Sequence, residues 1–141
     1  MNVPIIAAIL TAVASVFVAA LTFWLTKHKE READVRKQKL EHYRDLVSSF
    51  SGIVGTDSTP EGQKHFARAS NNLSLIASQE VLIALQAFQH EIRKSNPEPS
   101  VERHDILLKN LMLAIRNDLG LAKKDDPEKL SFHLWCSGAD V

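Results

Sequence analysis

The chain has 141 residues, no net charge at neutral pH and a single cysteine, Cys136. One cysteine excludes an internal disulfide, and the balanced charge excludes the general basic surface of a nucleic-acid-binding protein. The length allows one domain. All 17 Lys and Arg and all 17 Asp and Glu residues lie from Lys27 onward, so the neutral total combines an uncharged head with a highly charged body.

Residues 3 to 25 form an uncharged and mainly apolar segment, VPIIAAILTAVASVFVAALTFWL. A transmembrane helix needs about 20 apolar residues at a rise of about 1.5 Å each, and this segment is long enough. Trp24 falls at its far end, where an indole lies at the level of the lipid headgroups. A cleaved signal peptide is the less favoured alternative, because it would carry a basic start and a shorter apolar core. We therefore predict a transmembrane anchor over residues 1–26.

The basic residues next to this segment predict its orientation. No Lys or Arg precedes it, whereas seven follow it between Lys27 and Arg44. Cytoplasmic flanks of membrane helices carry an excess of Lys and Arg. We predict a single-pass protein with the N-terminus outside and the C-terminal domain in the cytoplasm, which in a bacterium means the inner membrane.

Small and then apolar residues recur at alternating spacings of four and three from the anchor into the charged region. This stripe predicts one long helix to about Val54, ended by Gly55, with residues 27–55 as a stalk and first bundle helix. It also indicates a self-association face, since small residues let membrane helices approach closely. Alternatively, the stripe arises by chance. The apolar segment is rich in alanine, and Lys29 and Arg36 interrupt the stripe. The face comprises Ala8, Ala12, Ser15, Ala19, Leu40, Tyr43, Val47 and Phe50.

The segment from 56 to 94 contains a turn and a helical pattern with one irregularity. Ser58 and Glu61 have the spacing of a capping box, and Pro60 suits a first helical position. Two apolar faces then follow, out of step around residues 78–80, which predicts a kink or two successive helices. They are Phe66, Ala69, Leu73 and Ile76, and then Leu82, Leu85, Phe88 and Ile92.

The break SNPEPS at residues 95–100 precedes a helix that Ser100 caps and that runs to about Leu119, with Gly120 just past its end. This helix is apolar over most of its circumference, so we expect it to be the most buried element. In the tail we predict a short helix over 125–129 and either a short strand or an extended clamp over 131–135. The apolar side chains expected to dock on the bundle are Leu130, Phe132, Leu134 and Trp135. The predicted fold is all-α: one N-terminal transmembrane helix continuing into a cytoplasmic antiparallel helical bundle, completed by residues 56–141.

The sequence contains no motif of a catalytic or metal centre. HExxH, GxSxG and a glycine-rich phosphate loop are all absent. The residues that would serve a tethered nuclease or phosphohydrolase are Arg36 with His42, and His104 with Asp105. Both patterns are short and common by chance, so we predict no catalytic residues, no metal and no cofactor.

One polar group at the end of the last long helix is unusual. Asp118 lies in the final turn, where a negative charge opposes the helix dipole. Arg116 points elsewhere on the helix, so the partner of Asp118 should be Lys123, Lys124 or a group on another helix. Together with Asn117 these residues form either a polar recognition site or a structural hydrogen-bond network, and the second interpretation is favoured.

These observations predict a non-enzymatic membrane protein whose cytoplasmic helical domain binds a partner. The partner is a second copy of the chain or another membrane or cytosolic protein, and no nucleic acid is expected. Two alternatives remain: the tethered nuclease or phosphohydrolase above, and a small effector that oligomerises in the bilayer through residues 3 to 25.

Overall fold

The computed structural model describes residues 2–54, 58–122 and 125–134, and within these ranges the protein is helical with no strand. This confirms an all-helical fold with one long apolar N-terminal helix. The contacts divide the chain into two compact units, an N-terminal unit up to Lys37 and a C-terminal unit from Gln38 onward. The helices are α1 (Val3–Ser49), α2 (Pro60–Leu73), α3 (Gln79–Glu91) and α4 (Val101–Asp118).

The apolar part of α1 is long enough, by length and composition, to cross a membrane. Its most apolar stretch of 18 residues has a mean hydropathy of 2.5, and none of that stretch is buried within the protein. Large side chains are exposed on several sides, including Leu10 at 65%, Val16 at 70% and Val18 at 61%. A soluble protein rarely exposes a contiguous apolar surface of this extent.

α1 ends at Ser49, five residues earlier than the sequence predicted, and a 3₁₀ turn over Phe50–Gly52 follows. The turn places the Phe50 ring in the core, 5.9 Å from the ring of Phe66 and 5.6 Å from that of Phe88. The chain then runs past α2, where the Thr59 N–H donates to the Gly52 carbonyl at 3.2 Å. Burial of Phe50 therefore ends α1 before Gly55, which lies outside the described residues.

The core of the C-terminal unit combines residues from the end of α1 and from the other three helices. The apolar faces predicted for α2 and α3 supply Phe66 and Leu85 among others, while Leu82 and Ile92 at the rim stay half-buried. The buried apolar residues are Tyr43, Leu46, Phe50, Phe66, Ala69, Leu73, Val81, Leu85, Phe88, Leu108, Leu111, Ile115 and Leu119.

Local chemistry fixes the start of α2. Pro60 occupies the first helical position, as predicted, because it has no N–H to leave unsatisfied. The N-cap is therefore Thr59, whose Oγ1 accepts from the Gly62 N–H at 3.0 Å. The predicted Ser58 cap is one residue too early, and its Oγ accepts instead from Gln63 Nε2.

The later boundaries follow the sequence closely. The irregularity at 78–80 separates two helices, and Ser78 caps α3. Ser100 caps α4 by accepting from the Arg103 N–H at 3.3 Å. At the other end Gly120 has φ 72°, and the N–H groups of Gly120 and Leu121 donate to the carbonyls of Asn117 and Arg116. This is a Schellman motif, which needs a left-handed residue and therefore favours glycine.

A buried carboxylate, Glu91, organises the connection between α3 and α4. Its side chain is 5% exposed, and Oε1 accepts from the Ser100 N–H at 2.8 Å. Oε2 faces Arg103 Nε at 3.5 Å. Glu91 therefore fixes the start of α4 from the end of α3, a contact across the connection that the sequence did not indicate.

Ser70 on α2 is 4% exposed, and among the described residues its hydroxyl is the one buried side-chain group without a hydrogen-bond partner. Burying an unsatisfied polar group costs about 1–3 kcal/mol. We expect Ser70→Ala to raise the free energy of unfolding by about 1 kcal/mol. Hydrogen exchange of α2–α4 in the full-length protein measures this change, and a loss of stability would show that the hydroxyl has a partner such as buried water.

The tail has less secondary structure than the sequence predicted. The predicted helix over 125–129 is a single turn in which the N–H groups of Lys129 and Leu130 donate to the Asp126 carbonyl. Residues 131–134 have no regular secondary structure, and Leu134 packs on the core. Trp135, also expected to dock, lies outside the described residues.

Candidate recognition site at the end of α4

The last turn of α4 contacts three other elements through three consecutive residues. Asp118 binds side chains of α1, Asn117 binds one of α3, and Arg116 binds one of the tail. Successive helical residues point about 100° apart, so one helix end reaches three neighbours at once. The polar residues predicted here therefore form a junction that joins α4 to α1, to α3 and to the tail.

Asp118 is the most enclosed member of this junction, with its side chain 9% exposed. Lys39 Nζ donates to both carboxylate oxygens, at 2.9 and 3.0 Å, and Tyr43 Oη donates to Oδ2 at 2.5 Å. Both partners lie on α1 at a spacing of four residues, so they share one face of that helix. This pair offsets the unfavourable position of Asp118 at a helix C-terminus.

The environment shifts two pKa values in opposite directions. Burial alone would raise the pKa of Asp118, but hydrogen bonds from Tyr43 and Lys39 and the charge of Lys39 hold it below its usual value. Burial, followed by the hydrogen bond to Asp118, raises the pKa of Tyr43 far above its usual value. At neutral pH the site is thus a fixed carboxylate held by an ammonium group and a neutral phenol.

Arg116 points away from Asp118, as predicted, and binds Asp125 in the tail through two hydrogen bonds. Nε donates to Oδ2 at 2.6 Å and Nη2 donates to Oδ1 at 2.8 Å. These hydrogen bonds are the main cause that lowers the pKa of Asp125 and raises that of Arg116. The two-point geometry fixes the direction of the tail as well as its distance from α4.

An open groove of about 550 Å³ lies between this junction and the start of α3. Asn117 Nδ2 donates across it to Glu80 Oε2 at 3.2 Å, and Ile83 contributes an apolar side chain that is 58% exposed. The lining residues are Ser78, Gln79, Glu80, Ile83, Asn117 and Asp118. The polar side chains of this groove can form hydrogen bonds, and Ile83 can make apolar contacts.

The structure places the predicted self-association residues in two different environments. Ala8, Ala12, Ser15 and Ala19 are exposed on the apolar part of α1. Tyr43 and Phe50 are buried in the core at 2% and 1% exposure, Leu40 packs against that core, and Val47 remains 37% exposed. The C-terminal half of the stripe therefore packs mainly within one chain.

Of the residues considered for an enzyme, His104 and Asp105 form a local pair. His104 Nδ1 lies 3.1 Å from Asp105 Oδ1, and its ring packs 5.3 Å from that of Phe88. Within the described residues of the C-terminal unit no hydrogen bond or ion pair joins this pair to His42. No group of three or more His, Cys, Asp or Glu side chains in the same ranges is arranged to hold a metal ion.

Sequence reasoning identified Asp118 but not its partners. Lys39 and Tyr43 are 79 and 75 residues away in the chain, so no local pattern connects them to α4. Their spacing of four, with a tyrosine on an otherwise apolar stripe, was the available signal. Lys123 and Lys124, the other partners considered, lie outside the described residues.

Comparison of the chain with protein families, with functionally characterised proteins and with solved structures finds no match.

Proposed function

We propose that this is a single-pass membrane protein whose C-terminal unit is a cytoplasmic, non-enzymatic interaction domain that acts as a scaffold or accessory subunit. The observation that carries the proposal is the exposed, uncharged surface of α1 from Val3 to Leu25, in a chain that also has a unit with its own core. Lipid is the environment in which such a helix surface is stable.

The distribution of charge supports the orientation. Seven Lys and Arg residues follow the apolar segment between Lys27 and Arg44, and none lies between Met1 and Val3. This asymmetry supports an N-terminus outside and a C-terminal unit in the cytoplasm. In a bacterial cell the membrane is the inner membrane.

The C-terminal unit is an antiparallel helical bundle in this proposal. The connections between α2 and α3 and between α3 and α4 span residues 74–78 and 92–100. Connections of this length favour antiparallel neighbours. The buried face of each helix and the packing of α3 on α4 are consistent with that arrangement.

A structural role suits the polar groups at the end of α4 better than catalysis does. Asp118, Arg116 and Asn117 are each engaged by a partner from another element. A catalytic acid or base must instead reach a substrate proton. Anchoring confines the domain to a surface, and this raises its effective concentration toward other membrane-bound proteins.

The single cysteine provides a test of the topology. In intact spheroplasts we expect Cys136 to resist a membrane-impermeant maleimide and to react after permeabilisation, because the C-terminal unit faces the cytoplasm. The matched control is Asn2→Cys with Cys136→Ser, which should react without permeabilisation. Labelling of Cys136 from outside, or a mature protein that lacks the first 26 residues, would contradict the anchor and its orientation.

A further inference from the structure

The tail from Asp125 to Leu134 lies on the C-terminal unit without joining a helix or a sheet. We call residues 125–134 the strap. Its side-chain contacts are the two-point ion pair between Asp125 and Arg116 and the packing of Leu134 on the core, with Leu130 and Phe132 half-buried. Its backbone hydrogen bonds are local: the Asp125 N–H donates to the Ala122 carbonyl, and the N–H groups of Lys129 and Leu130 donate to the Asp126 carbonyl.

The contact between the strap and α4 is incomplete. A groove of about 280 Å³ lies between them, with Leu113 and Ala114 of α4 on one side and Pro127 of the strap on the other. Empty space of this kind forfeits van der Waals contact that a fully packed segment would gain. Segments with few buried contacts and few backbone hydrogen bonds open at lower free energy than the core.

Opening would uncover a surface with a definite chemistry. Its polar feature is the Arg116 guanidinium, which presents two N–H donors to a carboxylate in the geometry that Asp125 now occupies. Its apolar features are the side chains of Leu113 and Ala114 and the position filled by Leu134. We call this surface the strap seat.

We propose that the strap is displaceable and that its seat binds an extended segment of a partner protein that carries a carboxylate and an apolar residue. The inference rests on the proposed interaction function and names the surface that performs it. A carboxylate at Arg116 and an apolar side chain in place of Leu134 would reproduce the contacts that the strap makes. The strap then competes with the partner segment for the strap seat.

Charge favours a peptide with few acidic groups over an anionic polymer or an anionic membrane. Arg116 is the basic side chain that the structure shows at the seat, and Glu80 at the start of α3 and Asp118 at the end of α4 lie close to it. A nucleic acid or a lipid surface would bring many negative charges against these carboxylates. One carboxylate placed on Arg116 avoids that repulsion.

The test uses the full-length protein in mild detergent and a fluorescent peptide with the sequence of the strap, DDPEKLSFHL. Asp125→Asn loosens the strap and leaves Arg116 in place, so this variant should bind the peptide about tenfold more tightly than the wild type. Arg116→Gln also loosens the strap but removes the cation, so it should bind no better than the wild type. A peptide with Asn in the first position is the matched ligand control.

A tethered protein separates binding at the seat from binding elsewhere. Ala114→Cys and Pro127→Cys, combined with Cys136→Ser, place thiols on opposite sides of the groove for a short bis-maleimide. Cross-linking should abolish peptide binding in the Asp125→Asn background. Hydrogen exchange should show faster opening of residues 125–134 in Asp125→Asn, with α2–α4 unchanged.

Three results would overturn the proposal: no peptide binding by Asp125→Asn despite faster opening of the strap, equal binding of the Asn-containing peptide, or binding that survives the tether. A concentration-dependent dimer of Asp125→Asn without peptide binding would assign the seat to a second copy and also overturn it. These assays use purified protein, so the proposed function stands independently if a native complex is recovered while the strap peptide does not bind.

Discussion

Gly62→Ala is expected to destabilise the C-terminal unit by about 3 kcal/mol, because it would force two backbone segments apart. A Cβ atom on Gly62 would lie less than 3 Å from three backbone atoms of Gly52, and a Cβ on Gly52 would lie 2.6 Å from Gly62 Cα. Backbone cannot rotate away as a side chain can. A Gly→Ala exchange at an unconstrained helix position stabilises by about 1 kcal/mol. The sign of the effect therefore shows whether the two backbone segments are in close contact.

The measurement is native-state hydrogen exchange of α2–α4 in the full-length protein, which gives the free energy of unfolding of the C-terminal unit. Asn71→Ala, at an exposed position on the same helix, is the control and should be neutral or slightly stabilising. A neutral Gly62→Ala would mean that the 3₁₀ turn and α2 do not approach as closely as described.

Asp118→Ala is expected to lower the free energy of unfolding by about 2 kcal/mol, because it leaves the Tyr43 hydroxyl and the Lys39 ammonium without their acceptor. Tyr43→Phe removes one of these donors and leaves the ion pair, so it should cost about 1 kcal/mol. In a double-mutant cycle the two changes should be strongly non-additive. Additive effects would show that the hydroxyl and the carboxylate act independently.

The stability contribution of Asp118 should also depend on pH in a defined direction. Its pKa is lower in the folded protein than in the unfolded chain, so the stabilisation is complete above the unfolded value and is lost as pH falls through the folded value. The difference between wild type and Asp118→Asn should therefore be largest near neutral pH and shrink below about pH 4. A difference that persists in acid would assign the effect of the substitution to shape instead of charge.

The helix boundaries that the sequence revealed are those set by local chemistry. Ser100, Pro60 and Gly120 act through their own backbone preferences and near neighbours, so their roles were predictable. The early end of α1 was not, since it depends on burial of Phe50 against residues far along the chain. The close approach of Gly52 and Gly62 could not be predicted from the sequence, because it also depends on how separate segments pack.

The part of the candidate site that depends on local chemistry could also be predicted from the sequence. An acid in the last turn of a helix conflicts with the helix dipole, so Asp118 was conspicuous without a structure. Its partners on α1 and the contact of Asn117 with Glu80 depend on how the helices pack. The stripe through Tyr43 and Phe50 illustrates a related limit, because the same apolar spacing serves an intramolecular core and a helix pair between chains.

Native mass spectrometry of the full-length protein, gently released from its own membranes, tests the proposed function most directly. We expect a defined complex, either a homo-oligomer or a stoichiometric assembly with a second protein. Ala12→Leu adds bulk to the small-residue stripe and should disrupt a homo-oligomer, whereas Ala20→Leu, on another side of the helix, should not. A monomer that carries its anchor and has no partner would contradict an interaction domain at the membrane.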